Sequence, residues 1–132
     1  MSFKTKKSLG QHFLTDGNII RKILASIPAG KNDRIIEIGP GTGALTKWLV
    51  QQFEDVHAIE IDERAIEVLE KEIPELTIHQ SDVLKIHWPD IINPDGKTYV
   101  IGNLPYYITS PILFALLENR SNFDGAILMM QK

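Results

Sequence analysis

The chain has 132 residues, 43% of them hydrophobic and 23% charged, with a formal net charge of −3 and no cysteine. That length suits one domain with one modest core. The absence of cysteine excludes a disulfide framework and a thiolate metal site, and no apolar run approaches the ~20 residues of a membrane span, so a cytoplasmic protein with no metal and no membrane contact is expected.

The first 17 residues read as a separate arm. Lys4, Lys6 and Lys7 cluster there with no acid before Asp16, which suits either a solvated tail or a strip that touches RNA phosphates. From Asn18 to Ile27 the apolar residues Ile19, Ile20, Ile23, Leu24 and Ile27 recur at helical spacing. Asn18 would cap the helix, and Pro28 and Gly30 would end it. Arg34 to Ile38 reads as a short buried strand running into Gly39-Pro40-Gly41-Thr42-Gly43, and a helix should follow from Ala44 to Phe53 with Leu45, Trp48 and Leu49 inward.

The pattern then repeats. Val56–Ile61 reads as a second strand, Glu63–Ile73 as a helix stopped by Pro74, and Leu76–His79 as a third strand. A weaker helical stretch from Val83 to Ile92 is interrupted by Pro89. Thr98–Gly102 is a fourth strand. Ser110 and Pro111 would cap and open the next helix, with Leu113, Leu116 and Leu117 inward. Gly125–Met130 is a fifth strand. Strands alternating with helices imply an α/β fold with a mostly parallel sheet covered on both faces. Ligands in such sheets bind beyond the carboxyl ends of the strands, near the switch in strand order. The polar motifs of residues 18–132 fall at those ends.

Gly39 and Gly41 would let the backbone turn tightly and let a ligand approach main-chain N–H groups. With Ala44 they also satisfy a loose dinucleotide fingerprint, and Glu60, 21 positions after Gly39, would bind a ribose diol in either reading. Two features favour a different cofactor. The E-x-G-x-G run from Glu37 resembles the first motif of S-adenosylmethionine-dependent methyltransferases, and Asp82 follows the third strand, where those enzymes place an acid for the adenine amino group.

Asn103-Leu104-Pro105-Tyr106 has the form of the motif found in enzymes that methylate exocyclic amino groups. An adenine N6 lone pair is delocalised into the ring and is a poor nucleophile. The Asn103 side chain and the Leu104 carbonyl would accept its two N–H bonds and aim the nitrogen at a methyl donor. Pro105 would stiffen the loop. Tyr106 would stack an extracted base, worth about 1–3 kcal/mol. Positioning would supply most of the rate, since methyl transfer from a sulfonium needs no strong base.

The chain as a whole resembles the ribosomal RNA adenine dimethyltransferases. The likeness is carried by Lys7 to Leu14, Glu37 to Leu45, Ile59 to Asp62, Gln80 to Asp82 and Gly102 to Tyr106. It implies a Rossmann-like class I methyltransferase fold and S-adenosylmethionine as cofactor. Contacts to that cofactor would come from His12, Leu14, Gly39, Gly41, Glu60, Asp82 and Asn103. The family more often has Asn at the position of His12 and at that of Tyr107. The implied reaction is dimethylation of N6 on two neighbouring adenines near the 3′ end of small-subunit ribosomal RNA, with the 30S pre-ribosomal particle as partner. A looser likeness extends to the large-subunit enzymes that confer macrolide resistance, and a non-catalytic ribosome-assembly factor with the same fold is the alternative from another class. Family members continue past Lys132 with two more strands and a small helical domain. The chain is therefore expected to be a truncated piece with weak activity, prone to dimerise through an exposed fifth strand.

Overall fold

A computed structural model describes residues 17–131, and the side chains of all of these except residues 106–108, 130 and 131. His12, Leu14, Lys4, Lys6 and Lys7 lie outside the described residues.

Helix α1 spans Gly17–Ser26, strand β1 Arg34–Ile38, α2 Thr46–Gln52, β2 Asp55–Glu60, α3 Glu63–Glu72, β3 Thr77–Gln80, β4 Thr98–Pro105, α4 Tyr106–Glu118 and β5 Gly125–Gln131. The strands form one sheet in the order β3-β2-β1-β4-β5, and each neighbouring pair runs parallel. The chain leaves β1 toward β2 and β3 on one side and returns to β4 and β5 on the other. The switch point lies between β1 and β4, where a crevice opens at the carboxyl ends.

Side-chain alternation along the strands splits the core in two. Ile35, Ala58, Tyr99 and Ile101 face α1, α2 and α3, packing on Ile20, Leu24, Leu45, Leu49 and Leu69. Ile36, Ile38, Ile59 and Val100 face the other way, onto Trp88, Ile91, Ile112 and Leu116. Continuous apolar strands therefore report burial on both faces, as a covered parallel sheet requires. Each fully buried Leu or Ile contributes about 1.5–3 kcal/mol.

Four expectations need correction. Asn18 lies inside the first turn of α1, where its side chain accepts from Arg21. The helix expected from Ala44 begins at Thr46, with Leu45 as its N-cap and residues 41–45 taken up by the glycine turn. The stretch 83–92 forms no α-helix; only the 3-10 turn Trp88–Asp90 survives, with Pro89 at its start, where a missing N–H costs least.

The largest difference concerns α4. Ser110 and Pro111 do not open it: the helix starts at Tyr106 with Pro105 as N-cap, and Pro111 lies inside it. The local cap signal loses to tertiary structure, since β4 runs on through Pro105 in register with β5 and hands the chain directly to the helix. The inward residues shift accordingly to Thr109, Ile112 and Leu116, while Leu113 and Leu117 are exposed.

Candidate active site

The register of the sheet builds the crevice. Ile38, the last residue of β1, pairs with Gly102 of β4, so the glycine turn and the Asn103 segment leave adjacent strands at the same level, about 5 Å apart. The Gly39 N–H donates to the Ile59 carbonyl at 2.9 Å, extending the ladder by one bond before the turn begins. Gly39, Gly41 and Gly43 all hold positive φ, at 63°, 59° and 95°. A Cβ on Gly39 or Gly41 would meet nothing within 4 Å, so both face open space. That room is what a ligand close to the main chain needs.

Glu60 ties the two corners of the cofactor side together. Its Oε1 accepts the Gly41 N–H at 3.1 Å, and its Oε2 accepts the N–H groups of Ile61 and Asp62 at 3.0 Å each. Asp82 is held by a bond from the Leu84 N–H to its Oδ1 at 2.9 Å. Both carboxylates border a cavity of about 330 Å³ whose wall also includes Gly39, Ile61, Val83, Leu84, Leu104 and Ile112. Ile61 and Leu84 are large, apolar and more than half exposed. An apolar slot with two acids at its rim suits a flat heterocycle joined to a hydroxyl-bearing sugar.

Beneath the turn, Glu37 is 3% exposed and takes a hydrogen bond from Thr46 Oγ1 at 2.5 Å. Burial pushes its carboxyl up to about 7; the Thr46 hydroxyl opposes this and the charge of Glu60 adds to it. The buried acid thus supports the turn from below.

The structure therefore brings Gly39, Glu60, Asp82 and Leu104 to one cavity and joins Gly41 to it through Glu60. Asn103 is half-buried in β4 in register with Met129. It sits beside the cavity rather than in its wall, and its side chain makes no hydrogen bond to another described residue. Pro105 ends β4 and Tyr106 begins α4. Sequence reading missed the apolar walls Ile61, Val83, Leu84 and Ile112. The signal for Ile61 was an isoleucine directly after the acid Glu60, at a strand end where burial is lost. Pro111 was read as a helix opener, yet it lines the cavity. Among the described residues no group of three or more His, Asp or Glu is placed to hold a metal ion.

The slot fits S-adenosylmethionine on this chain's own features. The open faces of Gly39 and Gly41 leave space for its amino-acid end, the Glu60 carboxylate suits its ribose hydroxyls, and the apolar walls with Asp82 suit its adenine.

Comparison with known proteins agrees with this geometry. The family described as ribosomal RNA adenine dimethylase matches residues 2–132. Ribosomal RNA small subunit methyltransferase A of Streptococcus gordonii is 44% identical over 137 residues, covering 98% of this chain and 47% of that protein. The chain spans about half the length of the curated relatives it matches. A crystal structure of a dimethyladenosine transferase from Plasmodium falciparum superposes with a TM-score of 0.70 at 32% identity, over 89% of this chain and 42% of that one. The 23S rRNA methyltransferase ErmE gives 0.69 at 28% identity, over 89% and 46%.

Proposed function

Because the chain belongs to the ribosomal RNA adenine dimethylase family, we propose that it forms the S-adenosylmethionine-binding part of an enzyme that dimethylates N6 of two adjacent adenines near the 3′ end of small-subunit ribosomal RNA. The reading rests above all on the pairing of Ile38 with Gly102, which sets the glycine turn and the Asn103 motif on one crevice.

In this reading S-adenosylmethionine supplies an electrophilic methyl group. Gly39, Gly41, Glu60 and Asp82 hold it, with His12 and Leu14 of the opening segment covering it. Asn103 and the Leu104 carbonyl accept the amine N–H bonds, Pro105 stiffens the corner, and Tyr106 stacks the base. The main contribution to rate is alignment of nitrogen and methyl. Lys4, Lys6 and Lys7 contribute phosphate contacts that weaken with salt. The small-subunit RNA, within the 30S pre-ribosomal particle in the cytoplasm, is the substrate favoured by the names of the curated relatives.

Calorimetry with S-adenosylmethionine and methyl transfer to small-subunit RNA test the proposal together. Asn103→Ala should abolish transfer while cofactor affinity stays within a few fold. Undiminished transfer by that variant refutes the role given to Asn103, and tight NAD binding in place of S-adenosylmethionine refutes the whole reading.

A further inference from the structure

The first turn of α4 converts the Asn103–Pro105 corner into a helix, and it lacks two customary fastenings. Pro105 is the N-cap, and no side chain caps the helix there. Pro111 lies inside the helix and has no N–H to give the Tyr107 carbonyl. Among the described side chains, one bond spans this weak turn: Thr109 Oγ1 donates to the Pro105 carbonyl at 2.9 Å. Thr109 is 3% exposed, and a hydrogen bond with one partner buried is electrostatically stronger than one fully at the surface.

The carbonyl that Thr109 holds belongs to the same planar peptide as the Tyr106 N–H. Fixing that plane fixes the direction in which the chain leaves Pro105, and with it the attitude of the corner toward the crevice. Leu104, 2% exposed in the core, anchors the segment from the other side. Thr109 takes no part in the cavity wall, whereas Pro111 and Ile112 do. Loss of its hydroxyl should therefore disturb the corner while leaving the cofactor slot intact.

We propose that Thr109 is a positioning residue for amine methylation, acting through the Pro105 carbonyl on the Asn103–Tyr106 corner. The inference rests on the methyltransferase reading given above. Serine keeps the donor and valine keeps the shape, so the two substitutions separate the hydroxyl from the packing.

The full chain is compared with Thr109→Val, Thr109→Ser and Asn103→Ala. Three quantities are measured: the S-adenosylmethionine Kd, the single-turnover methyl-transfer rate on a short RNA hairpin with two adjacent adenines, and the Tyr106 amide resonance. Loss of one hydrogen bond of ordinary strength predicts a roughly three- to tenfold slower transfer for Thr109→Val, a Kd within about twofold of the parent, and a displaced Tyr106 resonance. Thr109→Ser should restore both rate and resonance. Parental rate and an unmoved resonance in Thr109→Val overturn the inference, as does loss of cofactor binding in step with rate, which marks a merely structural hydroxyl. An unsubstituted chain that binds no S-adenosylmethionine overturns the underlying reading instead, and the inference falls with it.

Discussion

Glu60 Oε1 accepts the Gly41 N–H at 3.1 Å, linking the end of β2 to the turn after β1. With Oε2 held by Ile61 and Asp62, the carboxylate is oriented before any ligand arrives, and little ordering remains to oppose binding. Glu60→Ala should weaken S-adenosylmethionine binding about 10- to 100-fold, the range for one charge-assisted hydrogen bond. Titration calorimetry reads this directly. Unchanged affinity would place the ribose elsewhere.

Two glycines of the turn should fail in different ways. Gly41 holds φ at 59° beside open space, so Gly41→Ala costs only the left-handed strain of about 1–2 kcal/mol while obstructing the ligand. Gly43 holds φ at 95°, and a Cβ there would lie 2.9 Å from Ile73 Cδ1 and 3.1 Å from Leu69 Cδ2, both in buried side chains. Strain and overpacking together make Gly43→Ala cost about 2–5 kcal/mol. Urea midpoints should drop further for Gly43→Ala, and calorimetry should show the proportionally larger binding loss, relative to stability, for Gly41→Ala.

Burial of Glu37 makes stability fall with rising pH. Its carboxyl moves from 4.5 to about 7 on folding, so the folded state holds the proton more tightly than the unfolded state. Its stabilising contribution is complete below pH 4.5 and is lost as pH rises through about 7, a change on the order of 3 kcal/mol. Glu37→Gln, which carries no titrating group, should flatten that slope in urea melts between pH 4.5 and 7. An unaltered slope would show that Glu37 ionises freely.

A histidine pair on the neighbouring strands β2 and β3 works in the opposite direction. His57 Nε2 donates to Asp55 Oδ1 at 2.9 Å, which leaves His57 Nδ1 to accept from His79 Nε2 at 2.8 Å. Burial, then the nearby Arg34 charge, hold both rings below their usual 6.5; for His57, Asp55 pulls the other way. Stability from the pair is present above pH 6.5 and is lost as pH falls below it. In a Glu37→Gln background, which removes the competing slope, acidification from pH 7.5 to 5.5 should destabilise the chain, and adding His79→Gln should lessen that loss. Equal losses with and without His79 would exclude the pair as the source.

The sequence alone determined the order and kind of nearly every element, together with both corners of the site. Strand β1 was legible residue for residue because Arg34–Ile38 is an apolar run ended by a glycine turn. Gly39, Glu60 and Asp82 were legible as site candidates from their places at strand ends, and the structure brings them to one cavity. These are local properties: backbone conformational preference and side-chain periodicity act within a few residues. The tertiary structure decided what depends on distant neighbours. It moved the start of α4 from Ser110 to Tyr106, because β4 keeps pairing with β5 through Pro105. It buried Glu37 against Thr46, and it brought Ile61, Leu84 and Ile112 from three separate segments to one wall. Packing energy is gained between residues far apart in the chain, so no window of sequence contains it.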